Sequence, residues 1–269
     1  MSFWDAFILG LVQGISEFLP ISSTAHIVLA GHFLGVDSPG LALEIFLHLA
    51  SVLAVMLYFR RDILEVITGF LAYLRHRREE DRARYYFALY IVVATFITGT
   101  LGLLLADSLG EQIRNPYVMG GALWVTAGFL IFIEKGFTYG ERMIDKMTWR
   151  DSVLVGLGQT VAVLPGISRS GATLVTALLC GLERETAVRY SFLLAIPVIL
   201  GSSVLGFRHA TPEWVAASGV GPLSLAFVVS LVASWLGIVW LIRFLRHGRL
   251  YVFALYCFML GTLAMIFMR

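Results

Sequence analysis

Two short polar phrases interrupt an otherwise apolar chain, and between them they carry the residues able to do chemistry. Residues 10–26 read GLVQGISEFLPISSTAH, and residues 156–173 read GLGQTVAVLPGISRSGAT. A shift of 146 residues places Gly10 on Gly156, Gln13 on Gln159 and Ser22 on Ser168. Each copy sets Leu-Pro just ahead of a group of hydroxyls; the first carries the carboxylate of Glu17 and the second the guanidinium of Arg169. Charge inside membrane-grade sequence is costly, so both residues are functional-site candidates by default.

The chemistry these phrases suggest is anion binding beside a reactive hydroxyl. Pro20 lacks a backbone donor and ends the helix before it. Ser22, Ser23 and Thr24 then cap a new helix. A helix start presents free N–H groups and the positive end of the helix dipole, which together attract an anion. Pro165 and Gly166 repeat the arrangement. Gly166 and Gly171 let backbone approach a ligand closely, and Arg169 adds a planar fork suited to phosphate oxygens. Two helix starts, the hydroxyls of Ser22, Ser23, Thr24, Ser168, Ser170 and Thr173, the amide of Gln159 and one arginine describe an oxyanion pocket, with phosphate as the expected occupant.

Ser23 and His26 are three apart and share a helix face, and Glu17 can fold back toward them. Nucleophile, imidazole and carboxylate are the parts of an activated-serine site. Alternatively, Glu17 and Gln13 can hold a divalent cation, which prefers hard oxygen ligands and would neutralise charge in phosphoryl transfer. Plainer readings stand beside these. The serines can be a cap and nothing more, His26 a buried donor to a carbonyl, and Glu17 with Arg169 a structural bridge. Glu44 and His48, four apart, read as a polar lining or an end-of-span pair.

The elements that must position these residues are membrane helices. The 269-residue chain is 58% hydrophobic and 14% charged, with a mean hydropathy of +0.83; a soluble protein of this size needs far more polar surface. The expected fold is an all-α polytopic membrane protein forming one integral domain. Six stretches are apolar enough to span, near 41–59, 85–106, 117–133, 190–207, 223–242 and 250–268. Residues 3–35 and 152–182 are apolar but broken by Pro, Gly and the polar phrases, and read as re-entrant hairpins. Residues 63–74 are too short to span and are expected at the interface. Cys180 and Cys257 form no framework. The N-terminus has no basic n-region, so no removed signal peptide is expected.

The segments 60–84, 135–150, 183–189 and 243–249 hold 16 of the 20 Lys and Arg, whereas Arg114, Arg208 and Arg269 lie on the other side. The positive-inside rule puts the Arg-rich segments in the cytoplasm and both termini outside. The first hairpin then enters from outside and the second from inside. Each half, about 1–134 and about 150–269, is one re-entrant hairpin plus three spans, and the halves form an inverted repeat. Helices broken at mid-membrane in both halves point to one shared site.

QGISEFLPISSTAH and PGISRSGAT resemble the motifs of the undecaprenyl pyrophosphate phosphatase family of the bacitracin-resistance type, and the resemblance covers nearly the whole chain. It implies a bacterial inner-membrane enzyme that removes the terminal phosphate of undecaprenyl pyrophosphate to regenerate a lipid carrier for wall polymers. It implies a serine nucleophile at Ser23, diphosphate binding by Arg169, support by Mg²⁺ or Ca²⁺, and a pocket that opens outward. The family's Glu/Gln-x-x-x-Glu motif falls on Gln13 and Glu17. Position 13 is Gln where many members have Glu, and position 25 is Ala where Gly is expected. In the expected mechanism Ser23 attacks the terminal phosphorus, His26 or Glu17 takes its proton, and water hydrolyses a phosphoseryl intermediate; in a variant, Glu17 activates water directly. The expected partners are the polyprenyl diphosphate lipid and the bilayer, with a second copy of the chain left open and no nucleic acid.

Another class fits the broken inverted repeat: a transporter or flippase of lipid phosphate using the same anion pocket. It needs binding groups but no nucleophile, so the trio Ser23, His26 and Glu17 favours the enzyme. Membrane lipid phosphatases with a histidine nucleophile carry Ser-Arg-x5-His, but here Val175 stands at the histidine position.

Overall fold

The computed structural model describes residues 1–36, 41–109, 115–136, 140–206, 211–247 and 249–267. These residues fold as helices, α1 (Phe3–Phe18), α2 (Ser23–Leu34), α3 (Leu41–Tyr58), α4 (Arg60–His76), α5 (Glu79–Leu109) and α6 (Pro116–Gly136) in the first half. The second half holds α7 (Trp149–Thr160), α8 (Arg169–Leu179), α9 (Arg184–Gly206), α10 (Pro212–Ser218), α11 (Val220–His247) and α12 (Tyr251–Phe267). This is the all-α, multi-pass membrane architecture expected from the sequence. Arg114, Arg208 and Arg269 lie outside the described residues.

Segments of α5, α6, α9 and α11 run 28, 21, 23 and 26 residues with high hydropathy. At 1.5 Å per residue each is long enough for a hydrocarbon core of about 30 Å. α3 bends by 72° into α4, the segment expected at the interface, and α4 buries Gly69 while Leu64, Ile67, Leu71 and Leu74 stay exposed.

The two polar phrases each become a helix, a break and a second helix. α1 and α7 begin with matching capping boxes. Ser2 Oγ accepts from Asp5 N–H while the Ser2 N–H donates to Asp5; Thr148 and Asp151 do the same for α7. Each box satisfies two helix-start donors. The order that follows partly recurs: after each broken pair come an apolar helix (α3, α9), an intervening helix (α4, α10) and two further apolar helices (α5 and α6, α11 and α12). Of the six stretches expected to span, α5, α6, α9 and α11 do so by length and apolarity, α3 only together with α4, and α12 is shorter. Packing exchanges partners between the halves, with α1 against α11 and α7 against α5, while α3 meets α9 and α6 meets α12.

Small residues allow the closest of these crossings, as is usual where the solvent is lipid and apolar burial alone does not drive helices together. A Cβ on Gly10 would lie 2.5 Å from the Ala226 carbonyl oxygen, and one on Gly14 equally close to that of Ser230. Ser51, Ser230 and Ser234 share hydroxyl contacts of 3.4 and 2.9 Å between α3 and α11. At the other end Arg142 closes the second hairpin. Its guanidinium donates to both Asp151 oxygens, at 3.1 and 2.6 Å, and to the carbonyls of Cys180 and Lys146.

Candidate active site

The breaks between α1 and α2 and between α7 and α8 meet at a cavity of about 200 Å³ inside the bundle. Glu17, in the last turn of α1, is its hub and is almost wholly buried. One carboxylate oxygen, Oε1, pairs with the Arg169 guanidinium across the two loops. The other, Oε2, accepts from the Ser23 hydroxyl at 2.6 Å and the Gln13 amide at 2.8 Å, and His48 Nε2 lies 3.1 Å from it. A buried carboxylate needs such partners to stay in the interior. Four side chains from four helices therefore converge on one carboxylate.

Local backbone explains how Ser23 arrives there. Pro20 ends α1, and α2 starts at Ser23 with Ser22 as its N-cap residue. Ser22 has φ 68°, the left-handed region that non-glycine residues avoid. Its hydroxyl makes no cap bond. Ser168, at the equivalent place before α8, is an ordinary cap: extended backbone, with its hydroxyl accepting from Gly171 N–H at 3.1 Å. The start of α2 and the start of α8, with Arg169 as its first residue, both face the cavity, so two positive dipole ends add to the guanidinium.

Of the residues singled out from the sequence, Glu17, Ser22, Ser23, Thr24, Gln159, Ser168 and Arg169 line the cavity. Others hold its walls. Ser170 donates to the Leu19 carbonyl at 2.9 Å and ties one loop to the other. Thr173 bonds to Ser191 on α9 and to the Arg169 carbonyl. Gly166 has φ 103°, and a Cβ there would lie 2.4 Å from the Met119 carbonyl oxygen. Gly171 packs beside Pro20. Gln13 is fully buried behind Glu17.

His26 sits apart from Ser23. Nδ1 is 2.7 Å from the Ser22 carbonyl, and Nε2 is 2.7 Å from the Tyr256 hydroxyl. With both ring nitrogens engaged elsewhere, it is Glu17 that meets the Ser23 hydroxyl. Ser23 and His26 share a helix by spacing, but the i→i−4 carbonyl of Ser22 captures the imidazole.

Of the two readings of Glu44 and His48, the polar lining holds for His48, which lines the cavity and reaches Glu17 besides. Thr98 and Ser202 also line the cavity without having been signalled. Thr98 accepts from Gln159 at 2.8 Å and donates to the Gly156 carbonyl at 3.1 Å. Each is a hydroxyl within an unbroken apolar helix, a pattern that also fits back-bonding to the helix itself.

Comparisons with known proteins agree with this geometry. Residues 6–263 match the family described as bacitracin resistance protein BacA. The chain is 56% identical over 97% of its length to a protein of Halalkalibacterium halodurans named undecaprenyl-diphosphatase 2, covering 94% of that protein. It is 50% identical over 99% of its length to undecaprenyl-diphosphatase 1 of Shouchella clausii, covering 97% of it. A protein of Oceanobacillus iheyensis named undecaprenyl-diphosphatase is 39% identical over 99% of this chain and 98% of its own. With a family match over nearly its full length and both motifs folded into one cavity, the chain belongs to the bacitracin resistance protein BacA family.

Proposed function

We propose that this protein is an undecaprenyl-diphosphatase of a bacterial inner membrane, hydrolysing the terminal phosphate of undecaprenyl diphosphate to give the monophosphate used as a cell-wall lipid carrier. The names of its relatives support the substrate. The observation that carries the chemistry is the Ser23 hydroxyl, 2.6 Å from Glu17 Oε2 in a cavity edged by Arg169 and two helix starts. A binding pocket for transport needs the arginine and the helix starts, but not a hydroxyl aimed at a buried carboxylate.

The diphosphate enters with its oxygens toward Arg169 and the first N–H groups of α2 and α8. Arg169 uses Nη2 on Glu17, and a guanidinium has further donors for phosphate. Ala162, Val163, Ile167, Val198 and Ile199 form an apolar wall suited to the first isoprene units. Ser23 Oγ attacks the terminal phosphorus as Glu17 takes its proton. The bond from that phosphorus to the bridging oxygen breaks, and undecaprenyl phosphate leaves. Water then attacks the phosphoserine, giving inorganic phosphate, and Ser23 regains a proton by way of Glu17. Positioning and electrostatic stabilisation of this kind dominate phosphoryl transfer.

The residues present suit a divalent cation held jointly with substrate. Gln13 Oε1 is buried with no hydrogen-bond partner beside Glu17, and two protein oxygens completed by phosphate and water is a common Mg²⁺ arrangement. Among the described residues no three His, Cys, Asp or Glu side chains group to hold a metal alone. Glu17 and Gln13 would be its protein ligands, and when bound it supplies charge neutralisation on the diphosphate. The Arg-rich segments favour a cytoplasmic placement of α4 and of the ends around Arg142 and Arg184. That orientation would invert the second half relative to the first, and the outward opening of the cavity is proposed from the family resemblance alone.

The test is phosphate release from undecaprenyl diphosphate by detergent-purified protein, with and without Mg²⁺, beside Ser23→Ala and Arg169→Ala. Metal-dependent release by the wild type, lost in both variants, is expected. A folded wild type that binds the lipid and releases no phosphate would overturn the reading.

A further inference from the structure

Ser22 holds a left-handed conformation, φ 68° and ψ 94°, without a glycine's freedom and without a side-chain cap bond. Such a residue persists only where its surroundings over-determine it. Its carbonyl oxygen meets His26 twice: the backbone N–H donates to it at 3.4 Å, and the side chain adds a second, shorter contact from Nδ1 at 2.7 Å. A carbonyl only accepts, so Nδ1 carries the proton, and in the neutral ring Nε2 is an acceptor. The hydroxyl 2.7 Å from Nε2 is that of Tyr256, on α12. The two rings also stack, with centroids 5.5 Å apart and planes 10° apart. The next residue, Cys257, places its Sγ 3.6 Å from the Pro20 carbonyl, so one turn of α12 touches the same loop twice.

We propose that Tyr256 is a positioning residue: through His26 it fixes the Ser22 carbonyl, keeps Ser22 left-handed, and so keeps Ser23 on Glu17. The phenol, donating to Nε2, holds the ring in the orientation and tautomer that the Ser22 carbonyl requires, as partners of the far nitrogen do for other functional histidines. α12 is held in register by the crossing of Gly261 with Gly120 on α6, so the brace hangs from a rigid pair of helices. This inference rests on the phosphatase reading for its kinetic consequence but not for its structural one.

Two arms separate these consequences. Steady-state phosphate release is measured for Tyr256→Phe, Ser22→Gly and the double variant. Tyr256→Phe is expected to lower kcat about tenfold, the equivalent of one hydrogen bond, with KM within about twofold because the cavity wall is unchanged. Glycine adopts the left-handed conformation without strain, so in the Ser22→Gly background the same phenol removal is expected to change kcat less than about twofold. Hydrogen exchange of the amides of residues 21–24 is followed in parallel, on folded protein and without substrate. Faster exchange there in Tyr256→Phe, reduced by Ser22→Gly, supports the brace even should the phosphatase reading fail. Full multiplication of the two kinetic effects, or exchange in this loop unaltered by Tyr256→Phe, overturns it.

Discussion

His48 Nε2 and Ser23 Oγ share one acceptor, Glu17 Oε2, at 3.1 and 2.6 Å. The imidazole comes from α3 and the hydroxyl from α2, so the carboxylate is held from two directions while Arg169 holds its other oxygen. His48→Ala should let Glu17 swing and lower kcat by roughly tenfold, about one charge-assisted hydrogen bond. His48→Gln, which keeps an N–H donor, should recover most of the loss. Equal activity of the Ala variant and the wild type in a phosphate-release assay would remove His48 from the site.

Glu17→Gln has a divided expectation. The amide is a poor base, so kcat should fall by about 10²–10⁴. Arg169 is at the same time released from its carboxylate, so inorganic pyrophosphate should bind the variant at least as tightly as it binds the wild type. Calorimetric titration measures this; a parallel collapse of binding and turnover would mean that Glu17 builds the pocket and takes no proton.

The metal reading is tested at Gln13. Gln13→Glu adds a second carboxylate beside Glu17 and should lower the Mg²⁺ concentration for half-maximal activity severalfold, because hard cations favour added anionic oxygens. Gln13→Leu should raise it. A Mg²⁺ dependence identical in all three proteins would take the cation away from this pair.

Helix packing gives a contrast between two glycines. A Cβ on Gly14 would lie 2.5 Å from both Ala233 Cβ and the Ser230 oxygen, whereas one on Gly99 meets nothing within 4 Å. Gly14→Ala should destabilise by about 1–3 kcal/mol through overpacking. Gly99→Ala should be neutral or stabilising by up to about 1 kcal/mol through helix propensity. Thermal unfolding in detergent reads both, and a tolerated Gly14→Ala would show that α1 and α11 can separate freely.

Much of this was legible because membrane helices declare themselves by length and apolarity, and because charges that have no place in lipid must find each other. Glu17 and Arg169 meet for that reason. The capping boxes Ser2/Asp5 and Thr148/Asp151 were not singled out from the sequence, although a hydroxyl three residues before a carboxylate and ahead of an apolar run is the mark of a helix start. Of the two partners of His26, the carbonyl was among the readings and Ser22 supplies it, but Tyr256 was not: that contact depends on the register of α12, where Gly261 crosses Gly120 far along the chain. The left-handed Ser22 was hidden for a related reason: tertiary contacts, and no glycine, hold it there. His48 was readable as a polar lining residue, but its contact with Glu17 depends on the packing of α3 against α1.

The 146-residue correspondence has one more consequence. Glu17 falls on Val163, and Ser23 falls on Arg169. Neither copy of the phrase holds a spare for what the other contributes: the acidic group and the hydroxyl belong to one, the guanidinium to its counterpart. Duplication of the pattern therefore confers no redundancy. A lesion in either loop goes uncompensated, and two separately expressed halves would have to find each other and interlock before either could act.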